Sequence, residues 1–103
     1  MNDNKQPSQP EAGQQIQIKI TDETLRGAYA NMLQVAHTSE EFFLDFMNIM
    51  PPAGIVSARV IVSPGHIKRM IAAMQENLKH YEEQFGEVKA AVVPDHRIGF
   101  KTE

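Results

Sequence analysis

The chain has 103 residues, 42% of them hydrophobic, so one small globular domain is the expectation. A net charge of −3 and the lack of any cysteine exclude a broadly basic nucleic-acid-binding face, a disulfide frame and thiolate chemistry. No apolar run approaches the roughly 20 residues needed to span a bilayer, and the polar start lacks the core of a signal peptide, so the expected address is cytoplasmic.

Residues 1–14 are rich in Asn, Gln, Pro and Ser and nearly free of large apolar groups. Such a stretch buries too little surface to offset its ordering, and it reads as a disordered tail. Residues 15–20, QIQIKI, alternate Ile16, Ile18 and Ile20 with Gln17 and Lys19. That period of two predicts a half-buried strand.

Residues 21–36 fit two templates. Leu25, Ala28, Tyr29, Met32, Leu33 and Ala36 have helical spacing, yet Tyr29, Leu33 and Val35 set against Ala30, Met32 and Ala36 also tolerate a two-faced strand. Residues 42–50, FFLDFMNIM, are equally open by periodicity alone. As a strand they place Phe42, Leu44 and Phe46 on one face and Phe43, Met47 and Ile49 on the other. Four features tip the reading toward a hairpin. Residues 37–40, HTSE, are short and turn-like. Gly27 would weaken a helix passing through it by about 1 kcal/mol. Aromatic residues crowd the second segment, which suits a pleated surface. Pro51 and Pro52 then halt regular structure.

Residues 55–62, IVSARVIV, form a clearer strand, with Val56, Ala58, Val60 and Val62 on one face and Ser57 and Arg59 on the other. It leads into a helix whose start, stripe and stop are all legible. Ser63 is a favoured N-cap and Pro64 suits the first helical position. Ile67, Met70, Ile71, Met74, Leu78, Tyr81 and Phe85 recur in steps of three and four, and Gly86 suits a helix end. Residues 87–103 hold a short apolar run and a polar end, and read as a loose tail.

The expected architecture is α+β: an antiparallel sheet of about four strands, with one long amphipathic C-terminal helix packed on one face, within a single domain of residues 15–86. One helix shields one side of such a sheet. The opposite side, represented by Phe43, Met47 and Ile49, needs another cover. A second copy of the chain is the simplest one, giving a homodimer or higher oligomer.

Four blocks carry a resemblance: YAN at residues 29–31, HTSEEFFLDF at 37–46, SPGHIKRM at 63–70 and HYEEQFGEV at 80–88. In this order they resemble an uncharacterised prokaryotic family of roughly 100-residue proteins, classed as a domain of unknown function. The resemblance implies a stand-alone cytosolic protein with strands through the YAN and EFFLDF blocks, and it brings no activity with it. In outline, an antiparallel sheet followed by a long helix is also similar to the preprotein export chaperone SecB. That likeness is architectural, and fold does not carry function.

Candidate chemistry is sparse. His66 and His80 lie 14 positions apart, roughly 21 Å along one helix, too far to share an ion. A metal site from His37 and Asp45 would need the hairpin to bring them together. Asp45 is a charge inside an aromatic run and needs a partner, for which Arg59 on the neighbouring strand is suited. Ser63, His66, Lys68 and Arg69 gather at a helix start, where free amides attract anions, so phosphate or nucleic-acid backbone binding is the alternative reading there. No Walker loop, zinc motif or nucleophile elbow is present. The sequence therefore points to a non-catalytic, homo-oligomeric interaction protein, chaperone-like in its sharper form, with no cofactor, no metal, no membrane and no general nucleic-acid partner.

Overall fold

The computed structural model of the chain describes Gly13 and residues 15–92. The two expected tails, 1–14 and 87–103, fall largely outside the described residues. Five elements follow one another: α1 (Asp22–Arg26), β1 (Met32–His37), β2 (Phe42–Met50), β3 (Ala53–Val62) and α2 (Pro64–Phe85). The strands form one antiparallel sheet in the order β1-β2-β3, with β2 in the centre. The α+β class holds, with three strands where about four were expected. Residues 15–20 lie outside any ladder, because nothing in the described chain pairs with their backbone.

The ambiguous stretch before the hairpin divides between its two templates. Thr21 caps α1, its hydroxyl oxygen accepting from the Thr24 amide at 3.2 Å, and Asp22 and Glu23 suit the positive end of the helix dipole. Gly27 then ends the helix after a turn and a half, with φ at 79°, where a side chain would be strained. The strand begins at Met32. Asn31 extends the pairing by one rung. Its amide N–H donates to the Met47 carbonyl at 2.9 Å, while its side chain donates to the Ile49 carbonyl and accepts from the Ile49 amide, both at 2.9 Å.

The hairpin expected between residues 37 and 42 is present. Thr38 organises it: its hydroxyl oxygen accepts from the amides of Glu40 and Glu41 at 3.1 and 3.2 Å, and its own amide donates to the Glu41 carbonyl at 2.9 Å. Pro51 and Pro52, joined by a cis peptide bond, make the second turn.

Strand β3 differs from its expected faces. The register runs Phe46 opposite Ala58 and Met47 opposite Val56, which leaves Ser57 as an extra residue, a β-bulge. A single inserted residue exchanges the faces of everything beyond it. Val56 therefore lies across from Met47, on the face of Arg59, while Ile55 joins the face of Ala58, Val60 and Val62.

Helix α2 has the expected ends. Ser63 accepts from the His66 amide at 3.1 Å, and Pro64 occupies the first turn. Gly86, with φ at 98°, donates its amide to the Glu82 carbonyl at 2.8 Å, and the Glu82 carboxylate accepts from the Val88 amide at 2.9 Å. The expected packing along the sheet is not made within one chain. Only Ile67 and Met70 of the stripe are partly covered, both near the helix start, and no residue of α2 is buried. The core is accordingly small. Leu44 and Met47, each 3% exposed, are the buried apolar residues among those described, and they point to opposite faces of β2.

Candidate interaction surface

Alternation along the central strand sorts the sheet into two faces. Phe42, Leu44 and Phe46 share one face with Leu33 and Val35 of β1 and with Ala58, Val60 and Val62 of β3. This face is apolar through the middle of all three strands, with His37 at one end and Asn48 at the other. The opposite face carries Phe43, Asp45, Met47 and Ile49, with Gln34 on one side and Arg59 and Ile61 on the other.

The sequence reading placed partner binding on Phe43, Met47 and Ile49. The structure brings these three to one face. Met47 is buried within the chain, and Phe43 and Ile49 are half-buried. The segment entering β1 explains why Met47 is enclosed. Asn31 donates to the Met47 carbonyl, and only two residues earlier the Tyr29 carbonyl accepts from the Ser57 hydroxyl at 2.9 Å. The chain thus crosses from β2 to β3 beside Met47.

The most open apolar surface lies elsewhere. Leu33, Val35, Val60 and Ile55 are exposed on the more apolar face. On α2, Ile71, Met74, Leu78, Tyr81 and Phe85 are 48–65% exposed, with the Tyr81 and Phe85 rings stacked at a tilt 4.8 Å apart. Sequence reasoning identified every residue of that stripe but assigned it to the sheet of its own chain. No local pattern warns against this, because a 22-residue helix of roughly 33 Å is about as long as the ten-residue strand β3.

Asp45 finds the partner expected for it. Arg59 stands directly opposite and donates from Nε and Nη2 to the two carboxylate oxygens at 2.7 and 2.8 Å. These hydrogen bonds hold the Asp45 carboxyl below its ordinary pKa, against partial desolvation, with Coulomb attraction to the same guanidinium adding to the shift. The guanidinium also sits 6.0 Å from the centre of the Phe43 ring. A side chain with both oxygens bound to a neighbour is a cross-strand lock rather than a free acid or base. His37, paired with Phe42, is on the other face from Asp45, so the hairpin does not bring the two together.

The helix start is similarly engaged. The Ser63 hydroxyl holds the His66 amide, and Arg69 Nη2 donates to His66 Nδ1 at 3.0 Å. Of Ser63, His66, Lys68 and Arg69, only Lys68 has no such local role. Among the described residues no group of three His, Asp or Glu side chains is placed to hold a metal ion, and no helix is long and apolar enough to cross a membrane.

The four sequence blocks now have structural meanings. YAN ties the entry of β1 to β2 and β3, HTSEEFFLDF makes the turn and central strand, SPGHIKRM caps α2, and HYEEQFGEV ends it. The fold they specify is a three-stranded antiparallel sheet followed by a long helix with an open apolar stripe. The profile of the family described as a protein of unknown function, DUF3467, matches residues 1–90, and the chain belongs to that family. Comparison with curated proteins and with solved structures finds no match.

Proposed function

We propose that this chain is a non-catalytic, self-associating interaction protein that works in the cytoplasm. Its more apolar sheet face and the stripe of α2 are surfaces for another protein molecule, first of all a second copy of itself. A chaperone-like capacity to hold apolar segments of other proteins is the sharper form of the same proposal.

The observation that carries it is the open stripe of α2. Nineteen large apolar side chains among the described residues are exposed, against two that are buried. Apolar surface contributes roughly 25 cal/mol for every Å² withdrawn from water, and contiguous patches of this kind mark interaction sites. A helix with no buried residue gains almost nothing from its own chain. A 22-residue helix with such a stripe holds its shape through packing, which a second molecule supplies. A two-fold arrangement would let each copy cover the other with the same residues.

Sedimentation of the full chain tests the reading. The expected mass is two subunits or more, with a thermal midpoint that rises with protein concentration. A mass of one subunit across the concentration range would overturn it. The anion-binding alternative at Ser63, His66, Lys68 and Arg69 takes second place, because three of those four groups already serve local contacts. Salt-sensitive retention on nucleic acid that disappears on replacing Lys68 and Arg69 together by Ala would restore it.

A further inference from the structure

Residues 15–20 have the pattern of a strand and no sheet to join. Ile16, Ile18 and Ile20 are 57–86% exposed, and among the described residues no backbone partner meets this segment. Three alternating isoleucines exposed in this way have no reason to stay in water.

The sheet offers an open edge of matching character. Strand β3 is ten residues long, and among the described residues its outer side has no strand partner. Natural edge strands are usually blunted by lysine, proline or an inward charge. Residues 53–62 contain no lysine and no proline, and their one charge, Arg59, is bound to Asp45. The bulge at Ser57 interrupts the edge at a single position and leaves residues 58–62 in regular register, apolar except for Arg59.

The course of the chain links the two. The Tyr29 carbonyl accepts from Ser57, which ties the chain to β3 nine residues after Ile20, and among the described residues, residues 15–20 make no backbone pairing in their own chain. We propose that residues 15–20 of one copy add as a fourth strand to the free edge of β3 in a second copy, and that the exchange is reciprocal. It rests on the self-association proposed above and specifies one of its contacts. Ile16, Ile18 and Ile20 then continue the apolar face of Ala58, Val60 and Val62, while Gln17 and Lys19 fall on the face of Arg59. Main-chain hydrogen bonds hold such an added strand and the alternation sets its side, as in strand addition generally. The fourth strand legible in the sequence is, on this reading, supplied by the partner.

The test uses the full chain, which has no native cysteine. A Lys19→Cys variant carrying a benzophenone maleimide is mixed with the isotope-labelled natural sequence, allowed to exchange subunits, and irradiated. The expected product joins the labelled cysteine to a heavy peptide within residues 53–62. Adding Ile18→Pro, which removes an amide donor, should abolish that product and the slow amide exchange of residues 15–20. Cross-links confined to the same chain, or directed to Met32–His37 of the heavy copy, overturn the strand exchange. If the natural chain sediments as an oligomer while those results appear, only the exchange falls. A one-subunit mass removes the self-association reading as well.

Discussion

Strand β2 and helix α2 each carry a regular apolar pattern, and they end in opposite situations. β2 has a neighbour on each side, and it holds both of the buried apolar residues, Leu44 and Met47. α2 has as regular a stripe and buries nothing. The difference lies in how each element finds its cover. A strand is flanked by its hairpin neighbours as a consequence of short connections, here Thr38–Glu41 and Pro51–Pro52. A helix has to be laid against a surface through long-range contacts that no short connection supplies, and α2 buries no residue.

That contrast can be tested from both sides. The largest effect is expected at the centre of β2. Leu44→Ala should lower stability by about 2–5 kcal/mol, as for other buried leucines, measured by denaturant unfolding at fixed protein concentration. An effect below about 1 kcal/mol would mean that Leu44 is not the centre of the core. Leu78→Ser, on the open stripe, should behave differently. It should weaken self-association by at least about 1 kcal/mol per site while the isolated subunit keeps its circular-dichroism signature. If this variant unfolds the subunit and leaves its association constant unchanged, the two regions are not distinct in the way proposed.

Smaller effects concern the locks at the joint between sheet and helix. Ser63→Ala removes the N-cap acceptor and should cost about 1 kcal/mol, read in the same unfolding experiment. The Asp45–Arg59 pair should show itself as a pH dependence. Because the folded carboxyl has a lowered pKa, its contribution is complete above the unfolded value of about 4 and is lost as pH falls through the folded value. Asp45→Asn should lessen stability at neutral pH and remove that acid-side slope. A slope unchanged in the variant would assign it to other carboxylates.

Much of the architecture was legible from residue patterns. The cap at Ser63, the stop at Gly86, the turn at residues 37–41 and the pairing of Asp45 with Arg59 each follow from local chemistry, and each is found. Residues 21–36 were ambiguous because two short elements share them. A five-residue helix followed by a strand satisfies both periodicities in part, and Gly27 serves as the stop between them. The exchange of faces at Ser57 was not legible. A bulge is a property of two paired strands, and the alternation of β3 alone gives no sign of it. For the candidate surface, the sequence identified the apolar residues and missed which of them stay open. Met47 is buried where the chain before β1 meets the sheet, through contacts 16 and 28 positions apart that no local pattern encodes: Asn31 bonds Met47, Tyr29 bonds Ser57, and Ser57 lies beside the partner of Met47 in the sheet.

The sequence by itself determined the kinds of element, their ends and their greasy sides, since capping, turn chemistry and periodicity act over a few residues. Tertiary structure alone decided the number of strands that pair among the described residues, the face on which Val56 lies and the exposure of most of the α2 stripe. Those outcomes depend on distances between segments far apart in the chain, where geometry rather than local preference selects which apolar surfaces can meet.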